Sequence, residues 1–456
     1  MKLKIDRTKI PTPSEPRPFH FPEFKTYELP NKMQTLVVHK NNLPLVNVLF
    51  RVNFSPMDDE PGKEGQANLL SHLLLEGTQK WNSTQIAEKF ENLGAHYNVH
   101  LSWSGFYFEL NILKEHLAEG LELSSEIIYE SILPEKEFNR LKQEVLIDRL
   151  QIKDMPGRLA NERLLRHLFQ NHRYGQPIEG LTSTIEKIEL AQLRQLYKNV
   201  LLKRQPTLIF TGNITETEAV QLRDRYFVKQ EESYLQPQMQ IHFKEPEKRH
   251  IILVHKPNAA QVELRIGQFT PPRQHPDFFK LKLLNEVFGG YFLSRLNLNL
   301  REKHGYTYGI HSQLAFRPQL GLLLISASIQ SEFIAPALDE IFKETEKLKA
   351  EGVREDELRS AAGYLIGVFP TAFETIDQIS DAIANLVTYN LSADYYRTFR
   401  EKLAQVTVEQ VNEAAQKYLH LEQMQVVLVG DRTVVEKPLE EKYELQIVDV
   451  KGNPLP

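Results

Sequence analysis

Two stretches of this chain, NLGAHYNVHLSW and EKHGYTYGIHSQ, share a glycine–tyrosine frame: Gly94 matches Gly305 and Tyr97 matches Tyr308, both 211 residues apart. The apolar strands that close the two copies, PTLIFTGNI and MQVVLVG, carry Gly212 and Gly430, 218 residues apart. Strand-like and helix-like segments follow the same order between these landmarks. Solenoid units run roughly 20–50 residues, so a repeat this long marks a duplicated domain. The chain of 456 residues also exceeds the roughly 250–300 residues at which single cores stop growing. The expected fold is α+β: two homologous α/β-sandwich-like domains from tandem duplication, each a mixed or antiparallel sheet with helices on one face. Two such halves packed face to face enclose a space.

Residues 1–25 hold five prolines and read as an extended N-terminal arm. The first domain is expected over 26–228. In it TLVVHKNNLPLVNVLFRVNF alternates about a turn as two strands, and QANLLSHLLLEG and STQIAEKFENLG are helical, the second stopping at Gly94 as a C-cap. AHYNVHLSWSGFYFELNIL reads as a hairpin and HLAEGLELSSEIIYESI as an amphipathic helix. Pro134 opens a long charged helix. Residues 229–249 are polar and aperiodic, a linker. Over 250–456 the pattern restarts: IILVHKPNAAQVELRIGQF is a strand pair, FKLKLLNEVFGG a helix, and REKHGYTYGIHSQL enters a hairpin.

Composition narrows the function classes. The net charge of −5 is spread along the chain, and no basic stripe argues for nucleic acid. No apolar run reaches the 18 or so residues of a membrane helix. With no cysteine, disulfides and thiolate catalysis are excluded, and any metal site must draw on His, Asp or Glu. The N-terminal residues have charges and no apolar core, so a cytoplasmic protein is expected; a signal upstream of residue 1 would make it periplasmic.

The stretch GQANLLSHLLLEGT, residues 65–78, sets Asn68 and His72 four residues apart with Ser71 between them. Positions i and i+4 share a helix face, the arrangement in which a metal helix presents two imidazoles around a carboxylate base. Taken by itself, His72 is a polar residue on a core helix built from Leu69, Leu70, Leu73 and Leu74. The frame resembles the pitrilysin/insulinase zinc-peptidase family, whose inverted H-x-x-E-H motif carries two zinc ligands and the general base. By this resemblance Asn68 stands at the first His, Ser71 at the Glu and His72 at the second His. Asp148, in EFNRLKQEVLIDRL, stands at the family's third ligand. An amide oxygen is a poor zinc ligand, and a serine accepts no proton from metal-bound water near neutral pH. His72 and Asp148 leave two ligands, below the three of catalytic zinc. The resemblance therefore implies a degenerate zinc motif, with no cofactor in this chain. His167 and His172 lack ligand spacing, and His96 and His100 stand about 13 Å apart along a strand.

Residues 283–310, LLNEVFGGYFLSRLNLNLREKHGYTYGI, offer the second cluster. On spacing alone Arg301 reads as a surface helix residue, Tyr308 as a half-buried strand residue, and Gly289-Gly290 as a C-cap and turn. The stretch resembles the same family's glycine-containing loop and Arg/Tyr signature through Gly289-Gly290, Ser294-Arg295-Leu296, Arg301-Glu302-Lys303, and Gly305 with Tyr306 and Tyr308. Residues 167–188 and 406–431 resemble later family segments, so the likeness runs from about residue 30 to 432. It implies that Arg301 and Tyr308, seven residues apart, reach a zinc-bearing site, with Gly289, Gly290 and Tyr306 binding substrate. A guanidinium and a phenol are the donors an oxyanion needs.

The resemblance thus implies half of an active site: a heterodimer in which a homologous zinc-binding subunit supplies metal and base, and this chain supplies Arg301 and Tyr308, acting on peptides or unfolded segments. The alternative is a catalytically silent scaffold or peptide-binding subunit of a larger complex. A self-sufficient zinc peptidase would require Asn68, His72 and Asp148 to hold metal without a base.

Overall fold

The computed structural model describes residues 16–29, 33–228, 234–235 and 244–456. Most of the arm over 1–25 and of the linker over 229–249 therefore lies outside the described residues. The strands are β1 (Lys25–Glu28), β2 (Gln34–His39), β3 (Leu45–Val52), β4 (His96–Ser102), β5 (Gly105–Leu113), β6 (Pro206–Gly212), β7 (Ile251–His255), β8 (Gln261–Thr270), β9 (Thr307–Arg317), β10 (Leu320–Gln330), β11 (Gln425–Gly430) and β12 (Leu445–Val448). They form two six-stranded mixed sheets in the orders β1-β2-β6-β3-β5-β4 and β12-β7-β11-β8-β10-β9. The duplication is visible strand for strand. Only one edge differs: β1 precedes β2 and runs antiparallel to it, whereas β12 comes last and runs parallel to β7.

The expected strand pair β7 and β8 is not paired directly, nor are the successive strands β2 and β3. Between β2 and β3 lies β6, parallel to the first and antiparallel to the second, and β11 separates β7 from β8 in the same way. The reason is burial. Every residue of β6 and of β11 is buried, and a strand apolar on both faces belongs in a sheet's interior. The hairpins β4–β5 and β9–β10 are paired as their alternation predicts.

Each sheet is covered by its own half's helices on one face and by a helix of the other half on the opposite face. Along β6, Leu208 and Phe210 join the first half's core. Ile209, between them, joins a cluster with Ile379 and Ile383 of helix Ile376–Thr388. That helix packs on β3 and β6, where Ser380 Oγ and Thr211 Oγ1 meet at 2.8 Å, both buried. The reciprocal helix, Pro156–Phe169, packs on β8 and β11. Its Leu159, Leu164 and Leu168 cluster with Val427 and Val429, while Val426 and Leu428 face the second half's core. Glycine permits the close approach: a Cβ on Gly267 of β8 would stand 2.8 Å from Leu168 Cδ1.

Candidate functional site

Helix Gln66–Leu73 carries Asn68, Ser71 and His72, the positions that the resemblance assigns to a degenerate metal motif, and packs beside helix Glu135–Gln151 and strand β4. Buried Asp59 holds its start, accepting from the backbone N–H groups of Gly65 (2.9 Å) and Ala67 (2.7 Å), and pairing with Arg173 at 2.8 Å. A carboxylate there complements the positive end of the helix. Leu69, Leu70 and Leu73 face the core. Asn68 is buried, and Ser71, wholly buried, donates its hydroxyl to the Asn68 carbonyl at 2.7 Å. His72 reaches the surface. Partial desolvation holds its imidazole below the usual range, against the pull of Glu76 and Glu179.

Asp148 lies on the neighbouring helix, but its carboxylate is engaged. Arg158, from the start of the crossing helix Pro156–Phe169, binds both oxygens at 2.9 Å. The same guanidinium lies 3.4 Å from Glu179 and 3.9 Å from Glu162. A zinc ion does not fit these residues. One candidate ligand is paired to a cation, the serine hydroxyl is turned into its own helix, and the amide at 68 is a weak donor. Among the described residues, no group of three or more His, Asp or Glu side chains is placed to hold a metal. Arg158 was not singled out by sequence reasoning, because an ion pair between two helices leaves no periodic trace.

The second cluster is built on a helix–turn–strand unit. Helix Phe278–Asn285 loosens into a π-helical turn at Glu286–Gly290, and a second π-helical segment, Asn297–Lys303, leads into β9. Gly289 presses on β9, since a Cβ there would stand 2.6 Å from Ser312 Oγ. Tyr306 is half-buried and stacked between His304 and Phe333. Arg295 forms a two-pronged pair with Glu357 and also donates to the Gly352 carbonyl, which braces the turn.

Arg301 and Tyr308 are held differently. The Arg301 guanidinium lies 4.4 Å from the ring of Phe292 and touches an acid only at Glu302, 3.5 Å from Nε. Tyr308 is 88% exposed. The residue sits on β9, an outer strand of its sheet, at a bulge where Tyr308 and Gly309 oppose Ser328 alone, between the pairs Thr307–Ile329 and Ile310–Ala327. Thr307 Oγ1 pins the bulge: it accepts from the Gly309 N–H at 3.1 Å, and its single proton lies within reach of the Ser328 carbonyl at 2.7 Å. An extra residue re-aims a side chain. The matching hairpin β4–β5 runs in unbroken register, and Tyr97, the counterpart of Tyr308, is half-buried against Phe90 at 4.1 Å. The exposed side chains of Phe292, Leu293 and Leu298 belong to the same unit. Among the described residues no hydrogen bond or ion pair joins this cluster to the helix of His72.

Comparison with known proteins gives this geometry a family. The model of the insulinase peptidases, family M16, matches residues 35–181, and that of the M16 inactive domain matches residues 187–364. The chain is 25% identical over 355 residues to an uncharacterized zinc protease of Rickettsia bellii, covering 76% of this chain and 84% of the relative. It is 22% identical over 417 residues to the non-peptidase homolog YmxG of Helicobacter pylori, covering 89% and 94%. A crystal structure of a peptidase M16 inactive domain from Pseudomonas fluorescens superposes with a TM-score of 0.82 at 24% identity, over 90% of this chain and 98% of that one. No helix among the described residues is long and apolar enough to cross a membrane. With both halves of its duplicated fold matched by models of one family, the chain belongs to the M16 peptidase family.

Proposed function

We propose that this protein is the metal-free subunit of a two-chain peptidase, lending Arg301 and Tyr308 to the site of a homologous zinc-bearing partner. One observation carries the reading: Tyr308 is 88% exposed on a bulge that its duplicate lacks. A bulge pointing an aromatic side chain away from its own fold serves a target outside it. Arg301 precedes the same strand with most of its guanidinium unclaimed. Among the described residues Tyr308 has no hydrogen-bond partner and Arg301 pairs only through Nε with the adjacent Glu302, which leaves donors suited to an oxygen that gains negative charge as a peptide carbonyl is attacked. Attack and proton transfer belong to the partner, because His72, Ser71 and Asp148 provide neither ligand set nor base. Gly289, Gly290 and Tyr306 shape the loop beside which a peptide would lie.

The test uses the complex recovered with its native partner. Arg301→Ala or Tyr308→Phe is expected to lower turnover of a quenched fluorescent peptide at least tenfold, and up to the roughly 10²–10³-fold that the loss of one oxyanion donor typically costs, while the complex's zinc content stays unchanged. Undiminished turnover in both variants would refute the role. A complex that forms yet cleaves nothing would favour the silent scaffold, the reading that the non-peptidase relative supports.

A further inference from the structure

At the seam between the halves, the β4–β5 turn and the end of β9 open onto a pocket of about 550 Å³. Helix Ile376–Thr388 contributes Asp381, and Tyr389 follows it. Arg317, the last residue of β9, reaches into this pocket. Its guanidinium carbon lies 5.1 Å from the ring of Trp103 and 5.5 Å from that of Tyr174. Among the described residues it has no hydrogen-bond acceptor and no ion-pair partner; its Nε is sealed from solvent and unsatisfied, while the terminal nitrogens are not sealed. The Tyr174 hydroxyl, fully buried, is likewise unpartnered.

The arginines closest to it are paired. Arg173 touches the same Trp103 ring at 5.2 Å but pairs with Asp59. Arg204 pairs with Asp58, and Arg51 donates to the Ser104 carbonyl and to the Tyr107 hydroxyl. Asp381 lines the pocket but makes no ion pair with Arg317; burial and the acids Glu109 and Asp377 push its carboxyl up to about 6. Burial also draws Arg317 down to about 10. A desolvated guanidinium without a counter-ion is costly to keep. Aromatic rings on its flanks fix the fork in place, which leaves its open edge suited to two oxygens at once.

We propose that this pocket binds a carboxylate, with both oxygens on the terminal nitrogens of Arg317 and the attached apolar group against the rings of Trp103, Tyr107 and Tyr389. A pocket with aromatic walls and a few oriented polar groups, here Arg317 and Asp381, is the usual form of a small-ligand site. The carboxylate is that of a small organic acid or of a peptide C-terminus, which share this chemistry. The site lies apart from the Arg301 and Tyr308 cluster and does not depend on its role.

The chain has two tryptophans, so a Trp81→Phe background leaves Trp103 as the reporter. N-acetylphenylalanine is titrated against N-acetylphenylalaninamide, which lacks the carboxylate, by fluorescence and by calorimetry. Saturable binding of the acid, at least tenfold tighter than the amide, is expected with Arg317 intact, so this comparison needs no variant to fold. Arg317→Gln should then weaken the acid at least tenfold and leave the amide unchanged. Acetyl-Ala-Ala-Phe with a free C-terminus, binding at least tenfold tighter than N-acetylphenylalanine, would assign the site to peptide ends; equal affinities would assign it to small acids. Acid and amide binding alike, no binding of either, or an Arg317→Gln chain that keeps the acid's affinity would overturn the proposal.

Discussion

Arg158 engages the carboxylate of Asp148, the residue that the family resemblance places at the third ligand position. It meets both carboxylate oxygens at 2.9 Å and touches Glu179 as well, and Glu179 also acts on His72. On that assignment, Asn68 and Ser71 are not the only obstacles to a metal. Restoring one ligand should not restore a site. Asn68→His alone is expected to leave zinc loosely held, because two-pronged arginine pairing keeps Asp148 engaged. Asn68→His with Arg158→Ala should bind zinc at least tenfold more tightly, measured by metal content after dialysis against buffered zinc; equal retention by the two variants would show that Arg158 has no such hold. Asn68, Ser71 and His72 could be placed on one helix by spacing, since helical faces repeat every three to four residues. Spacing alone gave Tyr308 a half-buried strand position, whereas the side chain is 88% exposed. A bulge depends on the partner strand, and one strand's alternation carries no record of it.

Helix Phe278–Asn285, which leads to the Gly289-Gly290 turn, is tied at its start to the second half's last long helix. Asp277 accepts from the Tyr418 hydroxyl at 2.6 Å, and lies 2.8 Å from the Lys280 ammonium and 3.2 Å from that of Lys417. These donors, Lys280 first and Tyr418 next, hold its carboxyl well below the usual carboxylate range. A carboxylate depressed in the folded state adds stability that is present above its unfolded pKa and lost as pH falls through the folded one. Asp277→Asn should therefore cost about 2 kcal/mol at pH 7, as hydrogen bonds to a charged group do. The difference from the parent chain should shrink below pH 4, as the unfolded carboxyl and then the folded one protonate. Urea melts at pH 7 and pH 3 would check this, and an equal gap at both would mean that charge plays no part. At this scale the strands and helices were legible because apolar residues recur at two or at three to four. Pairing order was not. Nothing in TLVVHKNNLPLVNVLF says that a strand about 170 residues later enters between its two halves; only the unbroken burial of PTLIFTG hints that it needs neighbours on both sides.

Duplication would ordinarily yield two independent bodies, yet each half here completes the other. Helix Pro156–Phe169 leaves the first half to cover β8 and β11, and helix Ile376–Thr388 leaves the second to cover β3 and β6. Each fully buried Leu or Ile side chain stabilises by roughly 1.5–3 kcal/mol. Leu159, Leu164 and Leu168 on one side, with Ile379 and Ile383 on the other, thus link the halves by an amount comparable with the whole stability of a domain. Separation would expose an apolar sheet face on each half. Residues 1–228 and 250–456, produced as separate chains, should each lack a cooperative thermal transition. Mixed, they should associate and unfold together, as the intact chain should in a single calorimetric transition. Two independent transitions in the intact chain, or a half that melts cooperatively alone, would show that the crossing helices decorate finished domains. A single transition would mean that the Arg301–Tyr308 unit and the helix of His72 are held in one frame, so that a partner docking against either face meets a rigid surface.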